Sequence, residues 1–169
     1  MARVLIIGGA ERGRRLAAGL VVDGLAVRVV TESVGELPGL DGVGAEGVLA
    51  DPDRIGTLME ALAGVTVLCW LMGTPAGAPG RGTELHGERL RMLFEKLVDT
   101  PVRGVVYEAA GSLESDVYTR GRAIAAAAAR TWALPVEILE ADPAEPDAWT
   151  VAARAAVTRL LTTPDPGGR

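Results

Sequence analysis

Between an unbroken apolar run, Val4 to Ile7, and a segment of helical period lies the hexapeptide Gly8-Gly9-Ala10-Glu11-Arg12-Gly13. No other feature constrains the fold as strongly. A continuous apolar run of this length reads as a strand covered on both faces, which requires a parallel sheet between helical layers. The segment Gly13 to Asp23 puts Leu16, Ala17, Leu20 and Val21 on one helical face, and Gly24 stops it. The hexapeptide fits G-x-G-x-x-G with alanine at the second glycine position. Gly8 permits a tight turn, a small residue at position 10 lets backbone amides approach a ligand, and Gly13 lets helix and strand pack closely. Strand, turn and helix together make a pyrophosphate cradle at a helix N-terminus, the signature of a dinucleotide site.

The rest of the chain repeats the strand–helix alternation. Strands are expected at Ala26–Val30, Gly47–Ala50, Val65–Leu71, Gly104–Tyr107 and Val136–Leu139. Asp53 is expected to cap a helix over Arg54–Ala63, with Ile55, Leu58, Met59 and Leu62 inward. Further helices are expected over Thr83–Val98, Tyr118–Trp132 and Asp147–Leu161. The glycine-rich stretch Val34–Gly47 reads as loop with little helix, and 73–82 as a mobile loop. Six strands with intervening helices predict one α/β domain over residues 1–162, a doubly wound Rossmann sheet in order 3-2-1-4-5-6. Residues 163–169 read as a frayed tail.

Glu32 ends the second strand, 19 residues past Gly13. A carboxylate there bonds the adenine-ribose 2′-hydroxyl and repels a 2′-phosphate, so NAD is expected over NADP. Arg12 in the turn and Arg28 nearby temper that preference. Gly8 and Gly13 also have the spacing of a nucleoside-triphosphate P-loop. Arg14 and Arg15 follow where that motif needs lysine and a hydroxyl, so a P-loop site is excluded.

Composition narrows the alternatives. A net charge of −5 with mixed signs argues against nucleic acid, which needs a basic face. One cysteine, Cys69, and one histidine, His86, leave no disulfide and no metal-ligand spacing, so no metal is expected. Cys69 reads as a small core residue, Trp70 could face either helix layer, and His86 reads as a surface or capping residue. No apolar stretch is long enough for a membrane span and no signal peptide is readable, so a cytoplasmic protein is expected.

Five blocks in order give the chain a resemblance. They are Arg3 to Leu16, Gly47-Val48-Leu49-Ala50-Asp51-Pro52-Asp53, Leu62-Ala63-Gly64-Val65-Thr66-Val67-Leu68, Gly104-Val105-Val106-Tyr107 leading to Ser112, and Leu134-Pro135-Val136-Glu137-Ile138-Leu139. Together the chain resembles atypical and extended short-chain dehydrogenase/reductases, the group that includes NAD-dependent epimerases and NAD(P)H-binding isomerase-like reductases. The resemblance implies a cofactor site of Gly8, Gly9, Ala10, Arg12, Gly13 and Glu32, with Asp51 and Pro52 bordering the adenine and Leu71, Met72 and Gly73 lining the cofactor. It also implies a catalytic set of Ser112, Tyr118 and Arg122, the last standing where the family's Y-x-x-x-K has lysine. Arginine keeps the charge but differs in shape and hydration. The family's C-terminal substrate domain has no counterpart in the sequence, so a small-molecule substrate pocket would have to come from 73–82, Ala110-Gly111-Ser112 and 141–146. The alanine run 125–129 fits the homodimer that the family forms through its fourth and fifth helices. Three functions stay open: an NAD(P)-dependent oxidoreductase or epimerase-like enzyme, a non-catalytic dinucleotide-binding sensor or assembly subunit, and a ligand-free scaffold.

Overall fold

The computed structural model describes residues 1–164, so residues 165–169 of the expected tail lie outside the described residues. Six parallel strands form one sheet in the order β3-β2-β1-β4-β5-β6. They are β1 (Arg3–Gly8), β2 (Ala26–Thr31), β3 (Glu46–Leu49), β4 (Val67–Leu71), β5 (Gly104–Glu108) and β6 (Val136–Leu139). The helices are α1 (Ala10–Val22), α2 (Leu37–Gly42), α3 (Arg81–Leu85), α4 (Glu88–Leu97), α5 (Ser115–Trp132) and α6 (Pro146–Thr162). No helix of the described residues is long and apolar enough to cross a membrane.

Side-chain alternation along the central strands feeds two cores, as a sheet covered on both faces demands. Leu5 and Ile7 of β1, with Leu68 and Trp70 of β4, pack against Leu90, Leu93 and Phe94 of α4. Val4, Ile6, Val67 and Cys69 face the other way, towards Leu16 and Leu20 of α1 and Trp149 of α6. Trp70 therefore joins the α4 side, where its indole donates to the Leu85 carbonyl at 3.1 Å.

Three expected elements differ from what forms. The helix over 54–63 reduces to a 3-10 turn at Ile55–Leu58 followed by turns. Thr57 Oγ1 accepts from the Asp51 amide at 2.9 Å and donates to backbone carbonyls, competing with helical hydrogen bonds. Ile55, Leu58 and Leu62 are buried, but Met59 reaches solvent. The expected loop after β2 carries a 3-10 turn and then α2, where Pro38 suits the first turn and Leu40 supplies a buried anchor. The expected helix over 83–98 breaks into α3 and α4 at His86-Gly87. His86 is wholly buried rather than a surface residue.

Candidate functional site

The glycine turn takes the conformation its sequence suggests. Gly8 and Gly9 have φ of 87° and 86°, and Ala10 follows at 46°, so three successive residues are left-handed. A Cβ on Gly8 would lie 2.5 Å from the Leu71 carbonyl oxygen, and one on Gly13 would lie 2.6 Å from that of Gly8. Strand, turn and helix are thus in backbone contact, and only glycine permits it. Gly9 caps α1 without a side-chain hydrogen bond. The first-turn amides of α1 keep their donor capacity and the positive end of the helix dipole.

Beside this turn opens a cleft of about 470 Å³. Gly8, Gly9 and Ala10 form one wall, and Thr31, Glu32, Ser33 and Glu36 at the end of β2 form another. Pro52, Leu71 and Met72 also contribute to it. The Thr31 hydroxyl ties to Glu36 and accepts from the Ser33 amide at 3.1 Å, which fixes the turn that presents Glu32. Across the rim, Arg81 donates from Nη2 to Glu32 at 3.0 Å and from Nε to Asp53 at 2.7 Å. Its third donor group reaches the Ala76 carbonyl at 2.7 Å. Carboxylate oxygens of Glu32, Asp51 and Asp53 lie within 4.8 Å of one another, and Arg81 supplies the positive charge for two of them. Asp51 itself accepts from the Asp53 amide at 2.9 Å and shapes the turn behind Pro52.

Arg12 turns away from the cleft. Its Nη2 and Nε donate to Oε1 and Oε2 of Glu108 at 2.5 and 3.1 Å, and its guanidinium lies 5.5 Å from the Trp149 ring centroid. Glu108 is a residue that sequence reasoning missed. It ends β5 with no exposed side-chain surface. Trp149 Nε1 donates to Oε2 at 2.8 Å and the Gly73 amide to Oε1 at 2.7 Å. Each carboxylate oxygen therefore accepts two hydrogen bonds, a fully satisfied buried anion. The available signal was an acidic residue closing an otherwise apolar strand.

His86 forms a second buried polar centre. Its Nε2 lies 2.6 Å from the Met72 carbonyl and its Nδ1 lies 2.5 Å from the Tyr107 hydroxyl. A carbonyl only accepts, so Nε2 carries the proton and the Tyr107 hydroxyl donates to Nδ1. Burial lowers the His86 pKa and holds the ring neutral, partly opposed by the Met72 carbonyl. The same desolvation pushes the Tyr107 hydroxyl well above its ordinary range.

Of the implied catalytic set, Ser112 and Tyr118 meet at the Gly73 carbonyl while Arg122 lies apart from it, and none of the three lines the cleft. Tyr118 donates to the Gly73 carbonyl at 2.7 Å and accepts from the Leu113 amide at 2.9 Å. Burial raises its pKa, and the Leu113 bond offsets part of that rise. The Ser112 amide also donates to the Gly73 carbonyl, at 3.1 Å. Arg122 pairs with Glu140 at 3.3 Å and reaches the Ala109 carbonyl at 3.4 Å.

The cleft wall thus combines side-chain-free backbone, an uncapped helix start and the carboxylates of Glu11, Glu32 and Glu36. No family model matches the chain, and no curated protein matches it in sequence. Solved structures do match in shape. BdcA (YjgI) from E. coli shares 16% identity over 96% of this chain and 94% of its own, with a TM-score of 0.71. The UDP-glucuronic acid 4-epimerase of Bacillus cereus, in complex with NAD, shares 13% over 83% of this chain and 56% of its own, with a TM-score of 0.64. The Citrobacter triphenylmethane reductase, complexed with NADP(H), shares 18% over 81% and 48%, with a TM-score of 0.60. The chain spans about half the length of the last two. Strand order and these likenesses together make the architecture a doubly wound, Rossmann-type α/β fold.

Proposed function

We propose that this chain binds a nicotinamide dinucleotide, NAD in preference to NADP, in the cleft between Gly8–Ala10 and Glu32. The observation that carries the reading is the uncapped start of α1, reached through three left-handed residues and facing a carboxylate across the cleft. Backbone amides of Gly9 and Ala10 with the α1 N-terminus would hold the pyrophosphate. Glu32 would accept from the adenine ribose, Arg81 already engaging one of its two oxygens. Pro52, Leu71 and Met72 supply apolar wall. Arg12 and Gly13 serve the turn from behind, Arg12 by anchoring it to Glu108 and Gly13 by letting α1 pack on β1.

Such a cofactor supplies hydride transfer when bound. Two roles for the protein follow. In one, Ser112, Tyr118 and Arg122 act as the acid–base set on a small-molecule substrate. In the other, the dinucleotide is bound without chemistry. The second is favoured by Tyr118, whose hydroxyl is spent on Gly73 and Leu113 and whose pKa burial raises rather than lowers. A homodimer along α4 and α5 is supported by Ala126 and Ala127, the exposed members of the alanine run, and by Trp132, which is 39% exposed, whereas Ala125 and Ala128 pack into the chain's own core.

Calorimetric titration with NAD and NADP tests the proposal. NAD is expected to bind more tightly. Glu32→Ala is expected to weaken NAD by roughly 10–100-fold, from the loss of a charged hydrogen bond of about 1.5–3 kcal/mol. The same change should narrow the gap to NADP, since Arg14 and Arg81 remain at the rim. Absence of binding by both dinucleotides at millimolar concentration overturns the reading.

A further inference from the structure

We propose that the cleft recognises the adenosine-diphosphate half of its ligand and provides no seat for a nicotinamide, so that ADP-ribose is held as well as NAD. The proposal rests on the cleft reading above and narrows it to a ligand class, adenosine diphosphates with a variable second half.

A doubly wound sheet offers two mononucleotide halves, and a dinucleotide spans the crevice between them. In this chain the half built on β1, β2 and β3 is open, with Gly8 to Ala10, Glu32 and Pro52 on its walls. The cleft also runs along Leu71 and Met72 at the end of β4 and Thr74 to Ala76 beyond it, but the space between the loops that follow β4 and β5 is closed by the chain's own backbone. A Cβ on Gly111 would lie 1.9 Å from the Gly73 oxygen, and one on Gly73 would lie 1.9 Å from the Ala110 oxygen. The two loops therefore touch, main chain to main chain, with no room for an inserted ring.

Four hydrogen bonds hold this closure. The Gly73 carbonyl accepts from Tyr118 at 2.7 Å and from the Ser112 amide at 3.1 Å. The Gly73 amide donates to Glu108 at 2.7 Å, and His86 holds the preceding Met72 carbonyl at 2.6 Å. Opening the loops would take the Gly73 donor from a buried carboxylate that has no solvent to replace it. The cleft wall passes from Met72 to Thr74 and excludes Gly73, as it excludes Ser112 and Tyr118. Two residues of the catalytic set that the family resemblance implies, Tyr118 through its hydroxyl and Ser112 through its amide, hold this ledge closed.

The test is a ligand series on the intact chain, with ADP, ADP-ribose, NAD and NADH titrated by calorimetry. NAD and ADP-ribose are expected to agree in Kd within about fivefold, less than the roughly 1 kcal/mol a seated ring would add. NADH is expected to show no enhancement or blue shift of its nicotinamide fluorescence when bound. NAD binding more than about fivefold tighter than ADP-ribose, or an enhanced and blue-shifted NADH signal, overturns this inference and leaves the cleft reading intact. Failure of all four ligands at millimolar concentration overturns both.

Discussion

Replacing Glu108 with glutamine tests the buried anion at the centre of the molecule. Four donors converge on its two oxygens. Arg12 Nη2 and the Gly73 amide reach Oε1 at 2.5 and 2.7 Å, and Arg12 Nε and Trp149 Nε1 reach Oε2 at 3.1 and 2.8 Å. Whichever way a glutamine amide turns, its NH₂ replaces an oxygen that accepted two bonds. Two donors lose their partner, and the largely buried Arg12 guanidinium loses its counter-charge. Breaking a buried pair from one side costs about 3–5 kcal/mol. For a chain of this size that corresponds to a Tm drop of roughly 6–20 °C. Urea unfolding followed by tryptophan fluorescence reads the change directly. A cycle with Arg12→Met and the double variant separates charge from packing. The double variant should cost at least about 1.5 kcal/mol less than the sum of the singles. A Glu108→Gln cost below about 1 kcal/mol, or strict additivity in the cycle, would refute the account of this network.

His86 is the single histidine, and burial lowers its pKa from the ordinary 6.5. The unfolded chain then binds the extra proton first, so stability is full above pH 6.5 and falls below it. The limiting slope is about 1.4 kcal/mol per pH unit. Denaturation between pH 8 and 5.5 should show this slope in the wild type and lose it in His86→Gln; a flat wild-type profile would contradict it. Burial pushes the Cys69 thiol up to about 12, so a disulfide reagent at pH 8 should label it only on unfolding. Prompt labelling of the native protein would count against its placement. Gly121 lets Tyr107 lie against α5, since a Cβ there would meet the Tyr107 hydroxyl oxygen at 1.7 Å. Gly121→Ala should therefore destabilise by about 1–3 kcal/mol, although alanine is the better helix former by about 1 kcal/mol. Any rise in Tm in that variant would refute the contact.

The sheet was legible because its signals are local. Apolar runs such as Val4 to Ile7, the turn Gly8 to Gly13 and the alternation of strand and helix suffice for order 3-2-1-4-5-6. The helix expected over 54–63 was misread because buried residues at Ile55, Leu58 and Leu62 satisfy tight turns as well as an α-helix. The Asp51–Thr57 hydrogen bonds then decide for turns. The interior of the site was illegible for a different reason. Arg12 and Glu108 are 96 residues apart, and His86 meets Met72 and Tyr107 only after β4 and β5 have paired. A one-dimensional reading sees an arginine in a phosphate turn and assigns it to the ligand. Folding gives that arginine a buried carboxylate instead, and in the proposed site the ligand would fall to backbone amides and Glu32.

A crystal structure of the chain grown with NAD tests the central claim most directly. The diphosphate is expected against Gly9 and Ala10, the adenine ribose on Glu32, and the Gly73–Ser112 and Gly73–Tyr118 hydrogen bonds intact, with the nicotinamide outside the ledge. A dinucleotide bound elsewhere, or a nicotinamide ring seated between Gly73 and Ser112 with those bonds broken, would contradict it.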